Sequence, residues 1–212
     1  MGQNKQIIVT EEQGASLLDK VYGYVLNGIP NVEKPIMELV REYTSRYDST
    51  EEAIKEFVRV QRIKVTTTGF VTGLGGAITL PFTLPADFVS SLYIELRTIA
   101  VIAAIRGFSV QEDKVKTAVY YCMVGNAVGD TVKQAGIKIG EAYVAKKLIP
   151  KISKDFSKKL TQAVGRRVLT KGGSKGIINL GKLVPVIGGI VGGAYNYAEI
   201  NIVARKAKNF FN

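Results

Sequence analysis

A long stretch without a charged residue is the feature that most constrains this chain. Residues 65–86 read VTTTGFVTGLGGAITLPFTLPA, and these 22 residues are enough for a helix to cross a bilayer. Each glycine lowers helix propensity by about 1 kcal/mol relative to alanine, and Pro81 and Pro85 remove backbone donors near the end of the run. The run is therefore either a helix with a face of small residues or a broken, re-entrant hairpin.

The glycines of this run belong to a wider pattern of small residues at helical spacing. A second group falls within residues 183–198, which also carry no charge. Such spacing suits helices packed in lipid and helices packed inside a water-soluble bundle, and both interpretations stay open. The glycines predicted to serve helix packing or insertion are Gly69, Gly73, Gly75, Gly76, Gly188, Gly189, Gly192 and Gly193.

The residue types that the chain lacks exclude several kinds of active site. There is no histidine, so Ser-His-Asp and Cys-His catalysis and histidine-containing zinc sites are excluded. The single cysteine, Cys122, lies in the apolar run AVYYCMV, and we predict a buried packing residue in a reducing compartment. We therefore expect no metal and no cofactor, and the sequence leans against an enzyme.

The positive charge of the chain is concentrated in one segment. The formal net charge is +11, and residues 133–176 hold twelve lysines and arginines against Glu141 and Asp155, a net of +10. Within residues 142–163 apolar side chains fall on one helical face and lysines on the other, with a break expected at Pro150. The predicted lipid- or anion-binding residues are Lys146, Lys147, Lys151, Lys154, Lys158, Lys159, Arg166 and Arg167.

Helical periodicity predicts an all-α fold, a compact helical bundle forming a single domain over residues 1–212. Capping boxes at Ser49 and Ser109 predict helix starts just after each serine, and Asn27-Gly28 and Gly107 predict helix ends. Four further glycines predict a helix that approaches a neighbour closely. They are Gly125, Gly129, Gly136 and Gly140.

Asp87 and Glu95 form a polar stripe on an otherwise apolar helix. A carboxylate pair of this kind can serve acid–base chemistry or bind a cation. We favour a structural interpretation, in which Asp87 interacts with the helix N-terminus and Glu95 pairs with a basic residue such as Arg97 or Arg205.

Three segments resemble the EcsC-like bacterial protein family. They read TGFVTGLGGAITLPFTLPADF, LRTIAVIAAIRGFS and GKLVPVIGGIVGGAYNYAEI, and the resemblance covers residues 57–212, leaving residues 1–56 as a helical N-terminal extension. The resemblance implies a bacterial protein on the cytoplasmic side of the membrane with an α fold, and it supplies no catalytic residues.

The basic amphipathic segment favours an anionic membrane surface as partner, since lysines opposite an apolar face suit a lipid surface. A merely solvated face is the main alternative, and nucleic acid fits poorly because few aromatic residues are interleaved. We expect a peripheral protein on the inner face of the cell membrane that binds anionic lipid and docks or inserts the glycine-rich segment. The alternatives are a soluble helical module that binds an acidic protein, a homo-oligomer, and a carboxylate-based hydrolase.

Overall fold

The structure is a computed structural model that describes residues 11–66, 78, 86–172 and 191–212. These residues form ten α-helices and no strand, so the prediction of an all-α fold is confirmed. Short 3-10 turns at Gly125–Val128 and Ile149–Lys151 join some of the helices. The helices are α1 (Glu11–Asn27), α2 (Ile36–Arg46), α3 (Thr50–Thr66), α4 (Ala86–Ile105), α5 (Asp113–Val124), α6 (Gly129–Gln134), α7 (Ile139–Ala142), α8 (Ala145–Leu148), α9 (Lys154–Gly172) and α10 (Val191–Phe210).

Helix α4 lies at the centre of the bundle. It packs against α1, α2, α3, α5 and α10, as expected for a helix that is apolar around most of its circumference. It ends as the sequence predicts: Gly107 adopts φ +85°, and Phe108 N donates to Ala103 O at 3.0 Å. This glycine turn lets α5 return alongside α4.

The end of α3 and the starts of α4 and α10 lie at the same end of the bundle. Arg106, just after α4, pairs with Glu51 at the start of α3, and Lys208 near the end of α10 contacts the same carboxylate at 3.2 Å. Helices α4 and α10 therefore both run antiparallel to α3. Consequently α3 ends, and α4 and α10 begin, at the opposite end of the bundle, where both uncharged runs join it.

A buried carboxylate links four parts of the chain. Glu33 lies in the connection between α1 and α2, and its side chain and that of Arg97 on α4 are each 2 % exposed. Arg97 donates to Glu33 at 3.1 Å and to the carbonyl oxygens of Val25 at 3.2 Å and Lys34 at 2.7 Å. Lys64 on α3 donates to the second oxygen of Glu33 at 2.8 Å. We call these three side chains the Glu33 cluster.

The backbone around Glu33 depends on a glycine. Gly28, which ends α1 as predicted, adopts φ +76°, and a Cβ atom there would lie 2.4 Å from the carbonyl oxygen of Glu33. Ile29 and Glu33 also exchange two backbone hydrogen bonds of 2.8 Å each. The close approach of these backbone atoms holds Glu33 where Arg97 can reach it.

One of the two predicted helix starts needs correction. Ser49 caps α3, since Glu52 N donates to Ser49 Oγ at 3.1 Å, but Ser109 does not cap α5. At Ser109 the chain makes a turn, with Glu112 N donating to Ser109 O at 3.0 Å, and α5 begins only at Asp113. The carbonyl of Ser109 takes the bond that its hydroxyl was expected to make.

The glycines at 125, 129, 136 and 140 do not form a tightly packed helical face. Gly125 and Gly136 have positive φ and lie where helical turns end, and a Cβ at Gly125, Gly136 or Gly140 would meet nothing within 4 Å. At Gly125 and Gly136, conformational freedom rather than small size explains the glycine. They divide this region into short helices.

A close helix contact does occur at a glycine that the sequence analysis did not select. A Cβ at Gly165 on α9 would lie 2.5 Å from the carbonyl carbon of Gly14 on α1. Of the glycines predicted to pack, Gly192 and Gly193 lie in α10 but their surroundings are not described. The other predicted packing glycines lie outside the described residues: Gly69, Gly73, Gly75, Gly76, Gly188 and Gly189.

Replacing Gly165 by alanine should lower the free energy of unfolding by about 1 to 3 kcal/mol, because the added methyl group meets backbone atoms of α1. Gly23 is the matched control: it lies within α1 with nothing within 4 Å of a Cβ, so Gly23→Ala should raise stability by about 0.5 to 1 kcal/mol through helix propensity. Urea denaturation measures both. Equal effects of the two substitutions would contradict the close contact.

Replacing Glu33 by glutamine should lower the free energy of unfolding by about 3 to 5 kcal/mol, because the buried Arg97 charge loses its counter-ion. The control is Glu42→Gln on α2, whose partner Lys34 lies 2.9 Å away but is half exposed, so at most about 1 kcal/mol is expected. Chemical denaturation monitored by circular dichroism distinguishes the two. Similar small losses would show that the Glu33 cluster does not stabilise the bundle.

Candidate functional site: a basic face along α8 and α9

Consecutive basic side chains line the outer side of α8, the 3-10 turn at Ile149–Lys151 and α9. All of the residues predicted from sequence to bind anions lie here and are exposed. We call this surface the α8–α9 basic face. Its members are Lys146, Lys147, Lys151, Lys154, Lys158, Lys159, Arg166 and Arg167.

The opposite side of these helices is anchored in the core. On α9 every fourth residue is buried, in the series Phe156, Leu160, Val164 and Val168, and α9 packs against α1 and α5. The predicted amphipathic pattern is confirmed, although two of the predicted apolar residues, Ile149 and Ala163, are only half-buried. The expected break at Pro150 occurs as the 3-10 turn.

Ion pairs with two nearby carboxylates engage two of the lysines of this face. Lys151 pairs with Glu141, and hydrogen bonding to that lysine lowers the pKa of the Glu141 carboxyl below its usual range. Lys159 pairs with Asp155 at 2.9 Å, with both side chains more than half exposed, so water screens the attraction. Among the residues that the structure describes, the remaining lysines of the face form no ion pair: Lys146, Lys147, Lys154 and Lys158.

A groove of about 1130 Å³ lies beside this face, between α1, α5 and α9. Inside it, the Lys116 ammonium group lies 3.3 Å from the Asp19 carboxylate and 3.2 Å from the Asp113 carboxylate. Partial burial by itself lowers the pKa of Lys116, but the two carboxylates together raise it above its usual value. Four carboxylates and five lysines line the groove. Two of these lysines, Lys154 and Lys158, also belong to the α8–α9 basic face, and the groove has nearly equal numbers of positive and negative side chains.

The two carboxylates singled out in the sequence are not brought together by any described contact. Asp87 lies in the first turn of α4, as predicted, but its side chain is outside the described part of the structure. Glu95 lies two turns further along and is half-buried, about 12 Å away along the helix axis. Arg97, one of the expected partners of Glu95, directs its guanidinium to Glu33 instead.

Neither a metal site nor a membrane-spanning helix is found in the described ranges. No group of three or more Cys, Asp and Glu side chains among residues 11–66, 78, 86–172 and 191–212 could hold a metal ion. In the same residues no helix is both long and apolar enough to cross a membrane.

A second group of basic residues was not predicted from the sequence, because the net charge outside residues 133–176 is close to zero. The structure brings three cations of α3 and two of α10 to one groove. A sequence signal exists: Lys55, Arg59 and Arg62 recur at helical spacing, as do Arg205 and Lys208. Only the pairing of the two helices shows that the two sets face the same space.

Cys122 is the packing residue that the sequence predicts. It is 6 % exposed, and burial raises the pKa of its thiol to about 12. The thiol therefore stays protonated at neutral pH and is a poor nucleophile.

We expect the folded protein to resist a thiol reagent such as Ellman's reagent at pH 8, and to react with one equivalent once urea unfolds it. The thiolate fraction and the access of the reagent are both small only in the folded state. Rapid reaction of the native protein with one equivalent would contradict the burial of Cys122.

The model of the EcsC protein family matches residues 11–212, nearly the whole chain, so the chain belongs to this family. The match includes α1, α2 and residues 50–56 of α3, which precede the region of resemblance noted in the sequence. No curated protein and no solved structure matches the chain.

Proposed function

We propose that this EcsC family member is a non-enzymatic, peripheral membrane protein that binds anionic lipid on the cytoplasmic face through the α8–α9 basic face. The observation that supports this proposal is a row of exposed lysines without ion-pair partners among the described residues, mounted on helices whose other side is buried. Because the apolar side anchors α9, the backbone positions that carry its lysines are fixed. A flat anionic surface can contact several of them together.

The energetics favour a multivalent surface over a single small ligand. Each lysine or arginine near an anionic membrane contributes about 1 kcal/mol, and the contribution falls off within a Debye length of about 8 to 10 Å. The cations of the face extend from Lys146 on α8 to Arg167 on α9, and among the described residues no pocket of one sign encloses them. Weak contributions that add together suit a lipid surface.

The topology supports a second contact with the membrane. Helix α3 ends at Thr66, and α4 and α10 begin at Ala86 and Val191, at one end of the bundle. The uncharged runs 65–86 and 183–198 therefore meet the bundle at a common end. In the proposal, this end docks or inserts its glycine-rich segment after electrostatic attraction has brought the protein to the surface.

The experiment is sedimentation with vesicles of phosphatidylcholine alone or mixed with phosphatidylserine. The wild type should bind only the mixed vesicles and should be released by high salt. Replacing Lys147, Lys154 and Lys158 by glutamine should weaken binding on the order of a hundredfold, since three charges contribute about 1 kcal/mol each.

A charge-matched control separates this face from general net charge. Arg41, Arg46 and Lys206 are exposed and lie on α2 and α10, so their replacement by glutamine removes the same charge elsewhere and should change binding little. Equal binding to both vesicle types, or equal loss in both triple variants, would overturn the proposal.

A further inference from the structure

A groove of about 500 Å³ runs between α3 and α10. These helices pack directly on α4, whereas α9 packs on α1 and α5, so the groove and the α8–α9 basic face lie on different flanks of the bundle. The groove is lined by Lys55, Arg59, Arg62, Arg205 and Lys208, and within the described part of the chain none of its lining residues is acidic.

Helical spacing explains why these side chains converge. Residues 55, 59 and 62 share one face of α3, and residues 205 and 208 share one face of α10. Like charges at this spacing disfavour a helix by about 0.2 to 0.5 kcal/mol per pair. Packing of the two helices does not require them, since the buried Ile54, Val58 and Ala204 form the floor of the groove.

Two of the cations that line the groove, Lys55 and Arg205, keep their charge available to a ligand. Arg59 pairs with Glu56 at 2.6 Å and Lys208 with Glu51 at 3.2 Å, but neither glutamate lines the groove. Lys55 and Arg205 form no ion pair with any residue in the described part of the chain. The larger groove beside α9 is different, because carboxylates there offset its lysines.

The chemistry of the lining selects a compact anion. Arginine presents a planar fork of donors that matches phosphate oxygens, and lysine adds a point charge. Asn209 supplies a further donor at the groove. Its volume lies within the range of about 300 to 1,000 Å³ that is typical of small-molecule sites, so the groove suits a single phosphate-bearing group.

We propose that the α3–α10 groove binds a phosphate monoester or diphosphate group, carried by a lipid headgroup or by a soluble molecule. Ile202, which lines the groove and is 46 % exposed, gives a lipid chain an apolar surface beside the cations. The site is independent of the α8–α9 basic face and can exist whether or not that face binds membranes.

Two probes test the site and identify its source of phosphate. Pyrophosphate binding, followed by calorimetry, reports a soluble ligand. Preference for vesicles containing phosphatidic acid over phosphatidylserine vesicles of equal surface charge reports a lipid monoester. The double variant Arg59→Gln/Arg205→Gln should weaken pyrophosphate binding at least tenfold or abolish the preference for phosphatidic acid.

The controls keep this result distinct from general electrostatics. Arg41→Gln/Arg46→Gln removes two exposed arginines from α2 and should leave both readouts unchanged, as should the Lys147/Lys154/Lys158 variant in the pyrophosphate experiment. Absence of both pyrophosphate binding and phosphatidic acid preference in the wild type would overturn the proposal. Equal losses in the groove variant and the α2 control would overturn it too.

Discussion

The carboxylate of Glu33 is the centre on which the arrangement of the helices depends. Removing a carboxylate and a guanidinium from water costs several kcal/mol, and only good geometry and further hydrogen bonds offset that cost. Here Arg97 donates hydrogen bonds to Glu33 and to two backbone carbonyl oxygens, one near the end of α1 and one in the connection that follows it. Lys64 donates to the second oxygen of the Glu33 carboxylate. Because the partners come from α3 and α4, a shift of either helix would leave a buried charge unpaired. The Glu33 cluster therefore fixes the relative positions of α1, α3 and α4 more strictly than apolar packing would.

A central α4 gives the molecule two separate basic flanks. One is the α8–α9 basic face, which is open, extended and partly screened by water. The other is the α3–α10 groove, which concentrates its cations in a smaller concave space. An extended face suits many weak contacts with a surface, and a concave cluster suits one ligand with matching oxygens. The two proposals therefore ask for different kinds of anion.

Local signals in the sequence were sufficient for much of the fold. The capping serine at Ser49, the glycine after Asn27 and the glycine at 107 each act through bonds to residues close in sequence, and the structure confirms the helix boundary at each. The burial of Cys122 and the alternation along α9 could be predicted from the hydrophobic pattern.

Contacts between residues far apart in the sequence could not be predicted in this way. The contacts of Glu33 with Arg97 and of Gly14 with Gly165 depend on how distant parts of the chain pack together, and no local sequence pattern determines that. The prediction of close packing at Gly125 and Gly136 was wrong, because glycine occurs both where helices pack closely and where the backbone needs a positive φ. The basic face could be predicted from one contiguous segment, whereas the α3–α10 groove needs two segments far apart in the chain.

Helix α10 has a further consequence for synthesis of the protein. It is the last of the described helices to be made, yet it packs against α3 and α4, and Phe211 beyond its end is fully buried against Phe108. Until these residues leave the ribosome, the apolar surfaces of α3 and α4 that α10 will cover, including Ile54 and Val58, face water. Exposed apolar surface of this kind attracts other chains and chaperones. Before α10 has been made, the nascent chain therefore passes through a state in which its central helix is covered on only some of its sides.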